Sequence, residues 1–165
     1  MKKLFGPIII LLMSLCTQAQ PMIGDVLANY NTGKVPYMYI SEIDSLKTHT
    51  IFLDAREPVE YEVSHIDGAI HVGFNSFNLN IVSSRIPNKK QTIIVYCSIG
   101  VRSEIIGERL KSAGYTNVFN LYGGIFEWVN QGFPIYKSQE QLTDSVHAYS
   151  PRWEKWLTRG IKVYD

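Results

Sequence analysis

Five consecutive residues, Thr92-Ile93-Ile94-Val95-Tyr96, constrain this chain more than any others: they are β-branched or aromatic, carry no charge and are apolar on both faces. Such a run suits a central parallel strand covered on both sides. A strand of that kind needs helices on either side, and the sequence supplies them in alternation. Short β-rich runs at 37–40, 51–53, 69–72 and 118–121 are interleaved with helical patterns at 42–47, 58–63, 75–84, 103–113 and 125–130. Ser41 with Asp44 resembles a capping box, Glu57-Pro58 marks a helix start, and Gly114 closes the segment whose one face carries Ile106, Leu110 and Ala113. The expected fold is α/β: an open, mostly parallel sheet with helices on both faces, its sites at the C-terminal strand ends.

Both ends fall outside this alternation. Met1-Lys2-Lys3 is basic, residues 8–15 form a short apolar core, and Thr17-Gln18-Ala19 offers small residues three and one before a cut ahead of Gln20. This is the pattern of a secretory signal peptide over residues 1–19. A membrane anchor needs about 20 apolar residues, whereas Gly6, Pro7, Ser14 and Thr17 interrupt this stretch, and Leu15 is too large a neighbour for Cys16 to serve in lipid attachment. The expected product is periplasmic or secreted, with no stable membrane association after cleavage. Residues 20–36 form a lead-in with a short helix at 25–30, and residues 37–137 form the main domain. Residues 138–165 form a helical tail, in which Ser150-Pro151 begins a short helix carrying Trp153, Trp156 and Leu157. That helix either lies on the domain or docks a partner.

Sixteen Lys and Arg against fifteen Asp and Glu give a net charge of +1, and loss of Lys2 and Lys3 turns it to −1. With no long run of either sign, nucleic acid and anionic lipid are not expected partners. Cleavage also removes Cys16, so the exported chain keeps Cys97 alone and has no internal disulfide. His49, His65, His71 and His147 show no paired spacing, so neither metal nor cofactor is expected.

Cys97 follows the central strand directly. In Tyr96-Cys97-Ser98-Ile99-Gly100-Val101-Arg102-Ser103 the strand passes into a helix, whose unpaired N–H groups point back at the thiol. The helix dipole and the Arg102 charge both favour thiolate over thiol, which makes Cys97 a nucleophile. Gly100 lets the loop turn without a side chain over the pocket. Asp54 and Arg56 are expected as a hydrogen-bonded pair that supports this loop. His65 is expected to stabilise a turn, since a preformed thiolate needs no base. An inert, buried cysteine is the competing reading, and these neighbours weigh against it.

Cys-x-x-Gly-x-Arg between a strand and a helix is preceded here by Leu53-Asp54-Ala55-Arg56-Glu57-Pro58-Val59-Glu60-Tyr61 and Ser64-His65-Ile66-Asp67-Gly68-Ala69. It is followed by Tyr122-Gly123-Gly124-Ile125-Phe126-Glu127-Trp128. This ordered set resembles a single-domain rhodanese, a thiosulfate sulfurtransferase-like module, over about residues 37–137. Ser64 stands where that family usually has Gly, and Asp67 where a Pro usually follows; both belong to a turn. The resemblance implies a Cys97 thiolate that attacks a sulfane sulfur and becomes a persulfide held by the loop Ser98, Ile99, Gly100, Val101 and Arg102. The sulfur then passes to a thiol or to cyanide. The implied donor is thiosulfate or a persulfide, and the implied acceptor is a thiol, a protein thiol included. Phosphatases of related fold place five residues between Cys and Arg. Four stand here, a narrower cradle suited to one sulfur atom. A third reading is a non-enzymatic binding module in which the aromatic tail recruits a partner; the intact loop weighs against it.

Overall fold

The computed structural model describes residues 22–43 and 50–164. The expected signal peptide and most of the expected 42–47 helix lie outside the described residues. Strands β1 (Tyr37–Met38), β2 (Ile51–Asp54), β3 (Ile70–His71), β4 (Ile93–Tyr96) and β5 (Val118–Leu121) form one sheet in the order β1-β5-β4-β2-β3. Every pairing in it is parallel, as the uncharged run at 92–96 leads one to expect.

Strand β4 is central and wholly buried, and its alternating side chains feed two cores. Ile93 and Val95 pack with Leu53 and Val118 against helices α4 (Leu79–Arg85) and α5 (Val101–Ser112), which contribute Val82, Ile106 and Leu110. Ile94 and Tyr96 enter the opposite cluster with Val26 of α1 (Ile23–Tyr30), Ile40 of α2 (Ile40–Ile43), and Ile125 and Phe126 of α6 (Gly124–Asn130). Helix α3 (Pro58–Val63) spans the expected residues. The expected 75–84 helix begins later, at Leu79, because the Asn78 side chain accepts the Asn80 N–H at 2.9 Å and caps it there.

The C-terminal tail holds short strands and 3-10 turns and no α-helix among the described residues. Strand β6 (Ile135–Lys137) pairs antiparallel with β7 (Gln141–Thr143), so a hairpin straddles residue 137, while β8 (Ser145–His147) pairs parallel with β9 (Ile161–Val163). The short helix foreseen around Trp153–Leu157 reduces to one 3-10 turn, Glu154–Trp156. Tertiary packing overrides the helical spacing here. Val146, Ala148 and Leu157 are buried in the α1/α6 cluster, Trp153 packs edge-on against Tyr30 with ring centroids 5.7 Å apart, and β9 begins at Ile161. Little chain is left for a second turn. Among the described residues no helix is long and apolar enough to cross a membrane.

Candidate active site

Cys97 stands one residue past β4, at 1% exposure, on a pocket of about 100 Å³ that Ser98, Ile99, Val101, Arg102, Tyr149 and Trp153 also line. A larger groove of about 650 Å³, bounded by Val129, Phe133, Leu142 and Arg159, contains no cysteine. The Cys97 loop is pinned from several elements. Gly100 caps α5 at φ 109°, a backbone state that glycine adopts without penalty. Its carbonyl accepts from the side-chain amides of Asn31 at 2.9 Å and Asn120 at 2.8 Å. The first amides of α6 hold the loop from the other side: Ile125 N–H donates to the Cys97 carbonyl at 2.9 Å and Phe126 N–H to that of Ser98 at 3.1 Å. Gly124, at φ 57°, lies so close that a Cβ there would collide with the Cys97 carbonyl oxygen.

This frame aims donors at the sulfur. Gly100 N–H reaches Cys97 Sγ at 3.1 Å, and the Ser103 hydroxyl lies 3.5 Å from it. That hydroxyl also faces Asn120 Oδ1 at 2.7 Å, so its one proton serves either acceptor in turn. Burial alone would push the Cys97 thiol up. The Arg102 charge, the Ser103 hydroxyl and the backbone N–H groups of Ser103 and Gly100 outweigh it, so the thiol lies below its ordinary range. Cys97 is buried, but in surroundings that stabilise its thiolate.

Arg102 is not free. Its Nη1 and Nη2 bind the two oxygens of Glu60 at 2.6 and 2.7 Å, a bidentate pair, and Nη2 also donates to Ser98 Oγ at 3.0 Å. Its guanidinium lies 4.5 Å from the Tyr149 ring centroid. Helix α5 starts at Val101, two residues earlier than the 103–113 pattern suggests, which places Arg102 in the first turn, where a cation opposes the helix dipole. Glu60 relieves that conflict. Burial raises its carboxyl, but Arg102, with help from Arg56 and the Glu57 N–H, brings it below the ordinary carboxylate value.

The remaining expected residues, Asp54, Arg56 and His65, bond to partners outside the loop. Asp54 and Arg56, both fully buried, form an ion pair with Nη2 to Oδ2 at 2.6 Å, and the same Nη2 donates to the Ser64 carbonyl at 2.6 Å. His65 stacks on Tyr61 with ring centroids 3.9 Å apart, and its backbone pairs with Tyr136 at 2.7 and 2.9 Å; it does not line the Cys97 pocket. Sequence reasoning gave no role at this site to Glu60, Ser103, Asn120, Tyr149 or Trp153. Asn120 could have been found as the one polar residue in Val118-Phe119-Asn120-Leu121. Nothing in the sequence marks Tyr149. Among the described residues no group of His, Cys, Asp and Glu is arranged to hold a metal.

The sequence model of the Rhodanese-like domain matches residues 38–131, more than half of the chain. This chain belongs to the rhodanese-like family. It is similar to part of the tRNA uridine(34) hydroxylase of Erwinia tasmaniensis, 30% identical over 132 residues that cover 68% of this chain and 38% of that protein. It is also similar to the probable adenylyltransferase/sulfurtransferase MoeZ of Mycobacterium tuberculosis, 35% identical over 82 residues covering 50% and 21%. The chain therefore spans less than two fifths of the length of these curated relatives. Among solved structures, thiosulfate sulfurtransferase from Pseudomonas aeruginosa aligns with a TM-score of 0.58 at 27% identity, covering 72% of this chain and 23% of that one. The rhodanese-like domain of Anabaena sp. Alr3790 aligns at 0.54 and 25%, covering 62% and 79%.

Proposed function

We propose that this rhodanese-like protein is a sulfurtransferase in which Cys97 carries a sulfane sulfur from a thiosulfate- or persulfide-type donor to a thiol or cyanide. The observation that carries the reading is the buried Cys97 thiol, held below its ordinary pKa with Gly100 N–H at 3.1 Å from Sγ. With thiosulfate, the thiolate attacks the outer sulfur, the S–S bond breaks, and sulfite leaves with the bonding pair; Cys97 becomes a persulfide anion. An acceptor thiolate then attacks the outer sulfur of that persulfide and returns the Cys97 thiolate. The loop amide and the Ser103 hydroxyl stabilise negative sulfur before and after transfer. Hydrolysis of a phosphate monoester is disfavoured, because the guanidinium such a loop would offer to phosphate is already bound through both terminal nitrogens, Nη1 and Nη2, to Glu60. We further propose, from residues 1–19 of the sequence, that the protein acts outside the cytoplasm.

Intact mass of the purified protein before and after a sulfur donor tests the reading. Wild type gains the mass of one sulfur atom and loses it to cyanide, whereas Cys97→Ser, close to isosteric but with no adjacent base to activate its hydroxyl, gains none while folding normally. Sulfur uptake by Cys97→Ser would place the chemistry elsewhere.

A further inference from the structure

Two walls of the Cys97 pocket come from outside the region that carries the family motifs: Tyr149 and Trp153, both between β8 and β9. Tyr149 is held in an uncommon conformation. Its φ is +66°, and Ser150 N–H donates across it to the Ala148 carbonyl at 2.8 Å, a three-residue turn that bulky residues rarely occupy. The turn is anchored on both sides. Tyr149 N–H donates to His147 Nδ1 at 3.1 Å, and buried Ala148 donates its N–H to Val163 at 2.9 Å. The strained backbone thus sets the Tyr149 ring on Arg102. Trp153 is fixed in turn by Tyr30 and by Trp156, whose ring centroid lies 5.3 Å away.

The electrostatics of this pocket are unusual for a site that would receive a dianion. Among the described residues Arg102 is the sole Lys or Arg lining it, and Glu60, Ser98 and the Tyr149 face occupy that guanidinium. Ile99, Val101 and Trp153 supply apolar surface. Thiosulfate would shed the hydration of two charges here with no unpaired cation in the described lining; Arg152 lies outside it, 5.3 Å from the Trp153 ring centroid and donating to the Tyr30 hydroxyl. A hydropersulfide with an apolar body loses far less hydration and gains contact with two aromatic rings.

We propose that Tyr149 and Trp153 are specificity-determining residues of the donor site, which favour a small organic hydropersulfide with an apolar or aromatic body over thiosulfate. This rests on the sulfur-transfer reading of Cys97. The Cys97 thiolate attacks the outer sulfur of R–S–S–H. The new Sγ–S bond forms as the donor S–S bond breaks, its electron pair leaves with R–S⁻, and the proton stays on the transferred sulfur. No oxidant or reductant is consumed.

The test compares kcat/KM for benzyl hydropersulfide, released in situ, with that for thiosulfate, using a common acceptor. Tyr149→Ala and Trp153→Leu are each expected to lower the persulfide-to-thiosulfate ratio roughly tenfold, mainly through a higher KM for the persulfide. Glu60→Gln, which frees the Arg102 charge, is expected to move the ratio the same way through a lower KM for thiosulfate. Tyr149 is 46% exposed and outside the buried core, so its variant keeps the test available should Trp153→Leu fail to fold. If Cys97 is sulfurated but the Tyr149 and Glu60 variants leave the ratio unchanged, the donor assignment is overturned and sulfur transfer stands. If neither donor loads Cys97, the sulfur-transfer reading itself falls.

Discussion

Glu60 governs how much of the Arg102 charge reaches the sulfur of Cys97. With the carboxylate 2.6 and 2.7 Å from the guanidinium, part of the cation's field is cancelled, yet Arg102 still leads the groups that favour the thiolate, ahead of the Ser103 hydroxyl and the loop amides. Iodoacetamide alkylation of Cys97 against pH should show a midpoint below the ordinary thiol value of about 8.5. Glu60→Gln should lower that midpoint further, and Arg102→Ala should raise it without restoring the ordinary value. Slow alkylation at every pH, reaching normal reactivity only in denaturant, would mean an inert cysteine. Arg102→Ala also strands a carboxylate that is 2% exposed, a defect worth about 3–5 kcal/mol. The sign for acid follows from the lowered Glu60 carboxyl. Its stabilisation is complete above the unfolded carboxylate value of about 4.3 and is lost as pH falls through the lower folded value. Thermal unfolding of wild type should therefore fall more steeply in acid than that of Glu60→Gln. Cys97 and its loop were legible because nucleophile, glycine and cation are contiguous. Glu60 is not legible in the same way, because its partner lies 42 positions away and the two meet through the fold, with β2 and β4 paired side by side.

Helix α6 acts on the site without contributing a side chain to the pocket. Its first amides hold the Cys97 and Ser98 carbonyls, and the approach depends on Gly124 at positive φ. Gly124→Ala combines left-handed strain with a backbone collision. It should destabilise the protein by at least about 2 kcal/mol, lowering the melting temperature by roughly 5 °C, and should reduce sulfur uptake by displacing the loop. Loop length makes a second prediction at this scale. Aryl phosphates should not be hydrolysed above background, and one residue inserted between Gly100 and Arg102 should reduce sulfur transfer; Cys97-dependent phosphate release would overturn the choice. The parallel strands were legible because two-sided burial demands uninterrupted apolar residues, as in Ile93–Tyr96. The tail was not. Strands β7 and β9 are largely exposed and carry no apolar run, while Trp153, Trp156 and Leu157 satisfy helical spacing across a single 3-10 turn that Trp153 and Leu157 flank.

For the whole molecule, the N-terminal sequence leads to a processing test. Expression in a Gram-negative host should give a periplasmic product beginning at or within a few residues of Gln20, read by N-terminal sequencing; recovery from the membrane with Met1 intact would rule out cleavage. The placement of the loop has another consequence. The Gly100 carbonyl is tied to Asn31, upstream of the region that matches the family, and Cys97 shares its pocket with Tyr149 and Trp153, downstream of it. The segments before and after the recognised domain therefore act as two jaws on the reactive loop. A fragment trimmed to residues 38–131 would keep every motif residue yet release both jaws, so homology alone would draw the boundary of the catalytic unit too tightly.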